Sequence, residues 1–134
     1  MITAIDTNIL IDVLEPDPVF GLASKEALKR CLREGSVIAC EVVWAEVMTA
    51  YSHKGKEAVE ALRRIGVEYS AMTLEASLGA ATCWSAFRRK RKVGDRIVAD
   101  FLIGGHALVQ GERLLTRDRG FYRTYFKPLK VESP

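Results

Sequence analysis

A chain of 134 residues that is 49% apolar and 28% charged, with a net charge of +3, has the make-up of one soluble globular domain with room for a sizeable core. No apolar run approaches the ~20 residues of a membrane span, and no basic segment precedes the first apolar stretch as it would in a secretory leader. The three cysteines, Cys31, Cys40 and Cys83, match no zinc spacing and are odd in number, so reduced, mostly buried thiols in a cytoplasmic protein are expected.

Met1 to Ile5 is short, apolar and β-compatible, and Asp6-Thr7-Asn8 is turn or cap chemistry before the apolar pattern resumes over Ile9 to Leu14. Pro16 and Pro18 exclude a continuing helix. Ser24 can cap a helix running to about Arg33, with Ala27, Leu28 and Cys31 at helical spacing and Gly35 at its end. Ser36 to Cys40 reads as a second strand. Glu41 to Tyr51 reads as a helix carrying Val43, Val47 and Tyr51 on one face. Gly55 interrupts the pattern, Lys56 to Ile65 forms a further helix with Val59 and Leu62 inward, and Val67 to Ser70 is a third strand. Thr73 is a good N-cap for a helix with Ala80, Cys83, Trp84 and Phe87 on one stripe. Gly94 breaks the chain, Arg96 to Val109 is helical, and Glu112 to Thr116 is a strand. Phe121 to Phe126 is a short aromatic helix or turn, and Leu129 to Val131 is a final strand. Strands alternating with helices predict an α/β fold, a mostly parallel sheet of four to five strands covered by helices on both faces, in a single domain over residues 1–134.

Four acids fall where such a fold gathers side chains. Asp6 and Asp118 each follow a strand, and ligands of open parallel sheets bind beyond the carboxyl ends of the strands. Glu46 and Asp100 lie early in helices that reach the same edge. Like charges brought together cost folding energy, which a divalent cation relieves, and hard oxygen donors suit Mg²⁺ or Mn²⁺ rather than zinc. Each acid also has an ordinary reading. Asp6 could be a helix N-cap, Glu46 a solvated helix residue, and Asp118 a turn residue paired with Arg117 or Arg119. Asp100, inside Val98-Ala99-Asp100-Phe101-Leu102-Ile103, is the hardest to explain without a partner.

Asp6-Thr7-Asn8-Ile9-Leu10 at the start, Glu46 in an apolar helix, Asp100-x-Leu-Ile in a later helix and Leu-Leu-Thr-Arg-Asp near the end together resemble the PIN-domain ribonucleases, and in size and arrangement the VapC-type toxins of toxin–antitoxin pairs. The resemblance implies a Mg²⁺- or Mn²⁺-dependent endoribonuclease that hydrolyses RNA by metal-activated water. It makes Asp6, Glu46, Asp100 and Asp118 the catalytic and metal-binding acids, supported by Asn8 and Thr116. It also implies a homodimer with a cognate antitoxin as partner. Asp95 could compete with Asp100 or flank it, and Gly104-Gly105 stands where the family more often has alanines, either for close packing or at a bend.

Setting the four acids aside leaves 13 acidic against 20 basic residues, a basic body around an acidic hole that an anionic polymer could bind, or equally a mildly basic protein with no polyanion partner. Arg88, Arg89, Lys90, Arg91 and Lys92 could follow an RNA backbone or could be a solvated helix end. His53 and His106 stand in no ligand spacing and are assigned packing or surface roles, and Trp44, Trp84, Phe87, Phe121, Tyr122 and Phe126 core or dimer contacts. Two other classes fit less well. A catalytically idle PIN-like module that binds RNA or protein would not need all four acids. A phospho-acceptor receiver domain wants an acidic pair after its first strand, where this chain has Asp6 followed by Thr7-Asn8.

Overall fold

The computed structural model describes residues 1–51, 54–90 and 98–134. Five strands, β1 (Ile2–Ile5), β2 (Ser36–Ala39), β3 (Val67–Tyr69), β4 (Arg113–Leu115) and β5 (Val131–Glu132), form one sheet in the order β3-β2-β1-β4-β5. Every pairing is parallel, with Thr3 opposite Val37 on one side of β1 and Ala4 opposite Leu114 on the other. The helices among the described residues are α1 (Thr7–Leu14), α2 (Gly21–Glu34), α3 (Glu41–Ala50), α4 (Gly55–Ile65), α5 (Leu74–Lys90), α6 (Val98–Gln110) and α7 (Arg119–Tyr125). The chain winds outward from β1 through β2 to β3, then crosses back to β4 on the other side of β1. Right-handed crossovers in two opposite directions put the helices on both faces, as expected from the alternation of elements. The reversal between β1 and β4 opens the crevice in which such folds place ligands.

The three central strands are mostly interior: Ala4, Ile5, Val37, Ala39, Leu114 and Leu115 are all buried, which is why they read as apolar runs rather than alternating ones. An aromatic cluster fills the space between α5, α6 and α7. Phe101 lies at its centre, with ring centroids 5.2 Å from both Phe87 and Phe121, 5.8 Å from Phe126 and 6.3 Å from Trp84. Trp44, Phe87, Tyr122 and Phe126 are core residues, while Trp84 and Phe121 are only partly covered.

Gly104 and Gly105 serve close packing. A Cβ on Gly104 would stand 2.4 Å from the Phe126 ring, and one on Gly105 would stand 2.6 Å from the Ala76 carbonyl oxygen of α5. α6 runs through both without a break. His106, on the same helix, has the packing role: it is buried, its Nε2 lies 3.0 Å from the Ser70 hydroxyl, and burial pushes its pKa below the ordinary imidazole value. Cys31 and Cys40 are buried and Cys83 partly so, all as free thiols.

Two details differ from the sequence reading, and one it left open is decided. α2 begins at Gly21, not at Ser24; Asp17 accepts the backbone N–H groups of Val19 and Phe20 ahead of it, and Ser24 is buried with its hydroxyl donating to Asp12 Oδ2 at 2.7 Å. A serine at cap spacing was thus recruited by a buried carboxylate instead. The last strand is Val131–Glu132 rather than Leu129 to Val131, since Leu129 closes a turn on Phe126 and packs in the core. Phe121 to Phe126, open between helix and turn, is helical and lies mostly within α7. His53, Arg91, Lys92, Gly94 and Asp95 lie outside the described residues.

Candidate functional site

Asp6 leaves the end of β1 and caps α1: its Oδ1 accepts the Thr7 N–H at 2.7 Å. The cap therefore occupies one oxygen, and the other is turned toward β4. Oδ2 accepts the Thr116 hydroxyl at 2.7 Å from the end of β4, across the reversal point of the sheet. Thr116 Oγ1 in turn accepts the Asp118 backbone N–H at 2.9 Å. One buried hydroxyl thus ties two site acids from opposite ends of the chain.

Asn8 supports the same junction. Its Oδ1 accepts the Arg117 N–H at 3.3 Å, and its Nδ2 lies 3.4 Å from Asp6 Oδ2 and 3.5 Å from Thr116 Oγ1. Glu46, exposed on α3, is turned toward α1 by the Thr7 hydroxyl, which donates to its Oε1 at 2.6 Å. Asp118 is the exposed N-cap residue of α7; among the described residues it pairs with neither Arg117 nor Arg119. Asp100 lies in the first turn of α6 and is half-buried.

Electrostatic coupling links Asp6 to Glu46 and Asp118, and Tyr122 to Asp6, Asp100 and Asp118. Asp6 has its pKa raised, chiefly by burial, with the Glu46 and Asp118 charges adding to the rise and the Thr116 and Thr7 hydrogen bonds opposing it. Tyr122, buried in α7, has its phenol pKa driven up by burial first and then by the fields of Asp6, Asp100 and Asp118. Its hydroxyl is close enough to Asp6 to interact, yet lacks a hydrogen bond of full geometry among the described residues. Two buried probes on different elements thus sense overlapping sets of the same carboxylates. Among the described residues, however, no three His, Cys, Asp or Glu side chains stand close enough to ligate one ion as placed.

Two contributors escaped the sequence reading. Thr7 was read only as cap or turn chemistry, and its hold on Glu46 depends on a contact across 39 positions. Asp12 is buried on α1 and receives a forked pair of hydrogen bonds from Arg117, 2.7 Å to Oδ2 and 3.1 Å to Oδ1. The Arg117 guanidinium also lies 4.0 Å over the Phe20 ring. This pair anchors the segment between Thr116 and Asp118 onto α1. An acid six positions past Asp6, inside an apolar helix, was the available signal. Of the basic run, Arg88 and Arg89 are exposed at the end of α5.

A family model for the PIN domain matches residues 3–127. No curated protein matches the chain by sequence. Among solved structures, the chain aligns over 99% of its length and 98% of the other with a TM-score of 0.76 and 20% identity to a chain of VapBC2 from Rickettsia felis bound to a DNA fragment from their promoter. With VapBC-1 from nontypeable Haemophilus influenzae the TM-score is 0.73 at 18% identity, over 99% and 98% of the two chains. With FitAcB from Neisseria gonorrhoeae it is 0.61 at 20% identity, over 98% and 96%. These likenesses speak for the fold, while the family model spans nearly the whole chain: the protein belongs to the PIN-domain family.

Proposed function

We propose that this protein is a divalent-metal-dependent endoribonuclease of the VapC type, the toxin of a toxin–antitoxin pair. What supports the reading is the junction at the β1/β4 reversal of a PIN-domain chain, where the Thr116 hydroxyl holds the Asp6 carboxylate and the Asp118 backbone while Thr7 holds Asp6 and Glu46. The donor set fits Mg²⁺ or Mn²⁺, being made of carboxylate oxygens. Asp6, Asp100, Asp118 and Glu46 would hold the ion, which when bound supplies water activation and charge neutralisation at a phosphoryl group.

The chain's own residues do the rest. Thr116 and the Thr7 N–H fix Asp6 from two sides, so its carboxylate presents the same face whatever else moves. Glu46 and Asp118 are exposed, so rotation about their side chains can close the remaining distance to an ion. The exposed cations of Arg88 and Arg89 suit an RNA backbone, which the basic surplus of the rest of the chain would also attract. An antitoxin partner, a homodimer and a cytoplasmic location belong to the same reading; the structurally similar chains come from VapBC and FitAB assemblies, and no described helix is long and apolar enough to cross a membrane.

Cleavage of RNA by the purified chain, with Mg²⁺ or Mn²⁺ and again in excess chelator, tests the proposal. Asp6→Asn and Asp100→Asn should each lower the metal-dependent rate by about a hundredfold or more, the scale of losing one preorganised electrostatic contact at a reacting centre. Undiminished turnover in either variant would remove the acid site from the chemistry. RNA binding with no metal-dependent cleavage would instead identify an idle binding module.

A further inference from the structure

The Tyr122 hydroxyl is the one buried side-chain polar atom without a hydrogen-bond partner among the described residues. The ring itself is fully buried and held by its neighbours, with centroids 5.0 Å from Phe121 and 6.0 Å from Phe126. The hydroxyl is therefore held inside the protein and cannot turn out to water. Asp6 is near enough to interact with this hydroxyl, but a buried phenol without a well-formed hydrogen bond is a cost that replacement by phenylalanine would remove. Its surroundings are not apolar in one direction: Asp6, Asp100 and Asp118 all act on it.

We propose that Tyr122 is a positioning residue of the acidic site, its hydroxyl standing ready to donate to the Asp6 carboxylate and hold it when a divalent cation is bound. The inference rests on the metal-site reading above and adds a residue to it. A carboxylate offers about four acceptor positions. Asp6 uses one on the Thr7 N–H and one on the Thr116 hydroxyl, and the Asn8 amide makes a long third contact at 3.4 Å; a cation would take the open position and the Tyr122 O–H that of the long Asn8 contact. A buried, sparingly solvated Asp6 needs such donors most when it is fully ionised, the state a cation demands. Hydrogen bonds to ligating groups from the surrounding shell set the orientation and basicity of those groups, and their loss costs metal affinity.

The test is Mn²⁺ binding to the full chain in the absence of RNA, by calorimetry or by the free-ion electron paramagnetic resonance signal, in the parent and in Tyr122→Phe. Thermal unfolding of both without added divalent ion runs beside it. The expected result is a Kd for Mn²⁺ raised by about tenfold in Tyr122→Phe, with ion-free stability unchanged or higher. An unchanged Kd would overturn the inference while leaving the metal site intact. A loss of ion-free stability would also overturn it, since the hydroxyl would then already have a partner in the free protein. No Mn²⁺ binding by the parent would remove the metal site and this role with it.

Discussion

Asp6 carries two demands that pull in opposite directions. Burial and the neighbouring Glu46 and Asp118 charges raise its pKa, so the ionised form that chemistry needs is the form the fold disfavours. A carboxyl whose folded pKa lies above its unfolded value adds stability at low pH and loses that contribution as pH rises through the folded value. Without a divalent ion, Asp6→Asn should therefore be more stable than the parent at neutral pH, and the gap should narrow as pH falls toward the unfolded carboxyl range near 4. Urea unfolding in chelator across roughly pH 4 to 7 measures it. A variant less stable than the parent at neutral pH would mean that the Thr116 and Thr7 hydrogen bonds outweigh burial, and that Asp6 is a structural carboxylate first.

At the level of elements, α6 is the piece whose sequence and setting disagree most. Two glycines in mid-helix give up roughly 2 kcal/mol of helix propensity relative to alanines. Replacing either by alanine should regain about half of that in an isolated helix. In the protein the sign reverses, because the Gly105 Cβ would meet the Ala76 carbonyl at 2.6 Å and the Gly104 Cβ would enter the Phe126 ring. Overpacking of this kind costs about 1–3 kcal/mol, and a backbone carbonyl cannot swing aside as a side chain can. Gly105→Ala should accordingly lower the denaturant midpoint with little change in slope, and a higher midpoint would show that α5 and α6 separate freely. The pair of glycines was visible in the chain, but close packing and a bend were equally open until α5 was in place beside them. The same limit explains α2. Cap spacing at Ser24 was real, yet a buried Asp12 on another helix took the hydroxyl, a competition no local pattern contains.

For the molecule as a whole, what was legible is what topology alone decides. Apolar runs separated by helical stretches imply a parallel sheet, and a parallel sheet implies that Asp6 and Asp118, each just past a strand, look into one crevice. The ties that hold them, Thr116 between the two acids and Arg117 on Asp12, join residues more than 100 positions apart and became visible only with the fold. Charge distribution belongs to this largest scale as well. The proposed site gathers four acids while the chain as a whole carries 20 basic against 17 acidic residues, so the rest of the chain holds a surplus of positive charge. A polyanion is then drawn to the body, and only its phosphate in the crevice needs a cation between itself and the acids. Arg88 and Arg89, exposed at the end of α5, are the described part of the densest basic run. Each phosphate contact made by such a cation to a single strand contributes about 0.7 to the slope of log Kobs against log salt. Neutralising both, as Arg88→Gln with Arg89→Gln, should weaken RNA binding and flatten that slope by about 1.4, while leaving the unfolding midpoint close to the parent's because both side chains are solvated. Binding isotherms across a salt series, in chelator so that no RNA is cut, give the number directly. A slope equal to the parent's would make the run a solvated helix end, and the path of the RNA across the protein would then have to follow other cations.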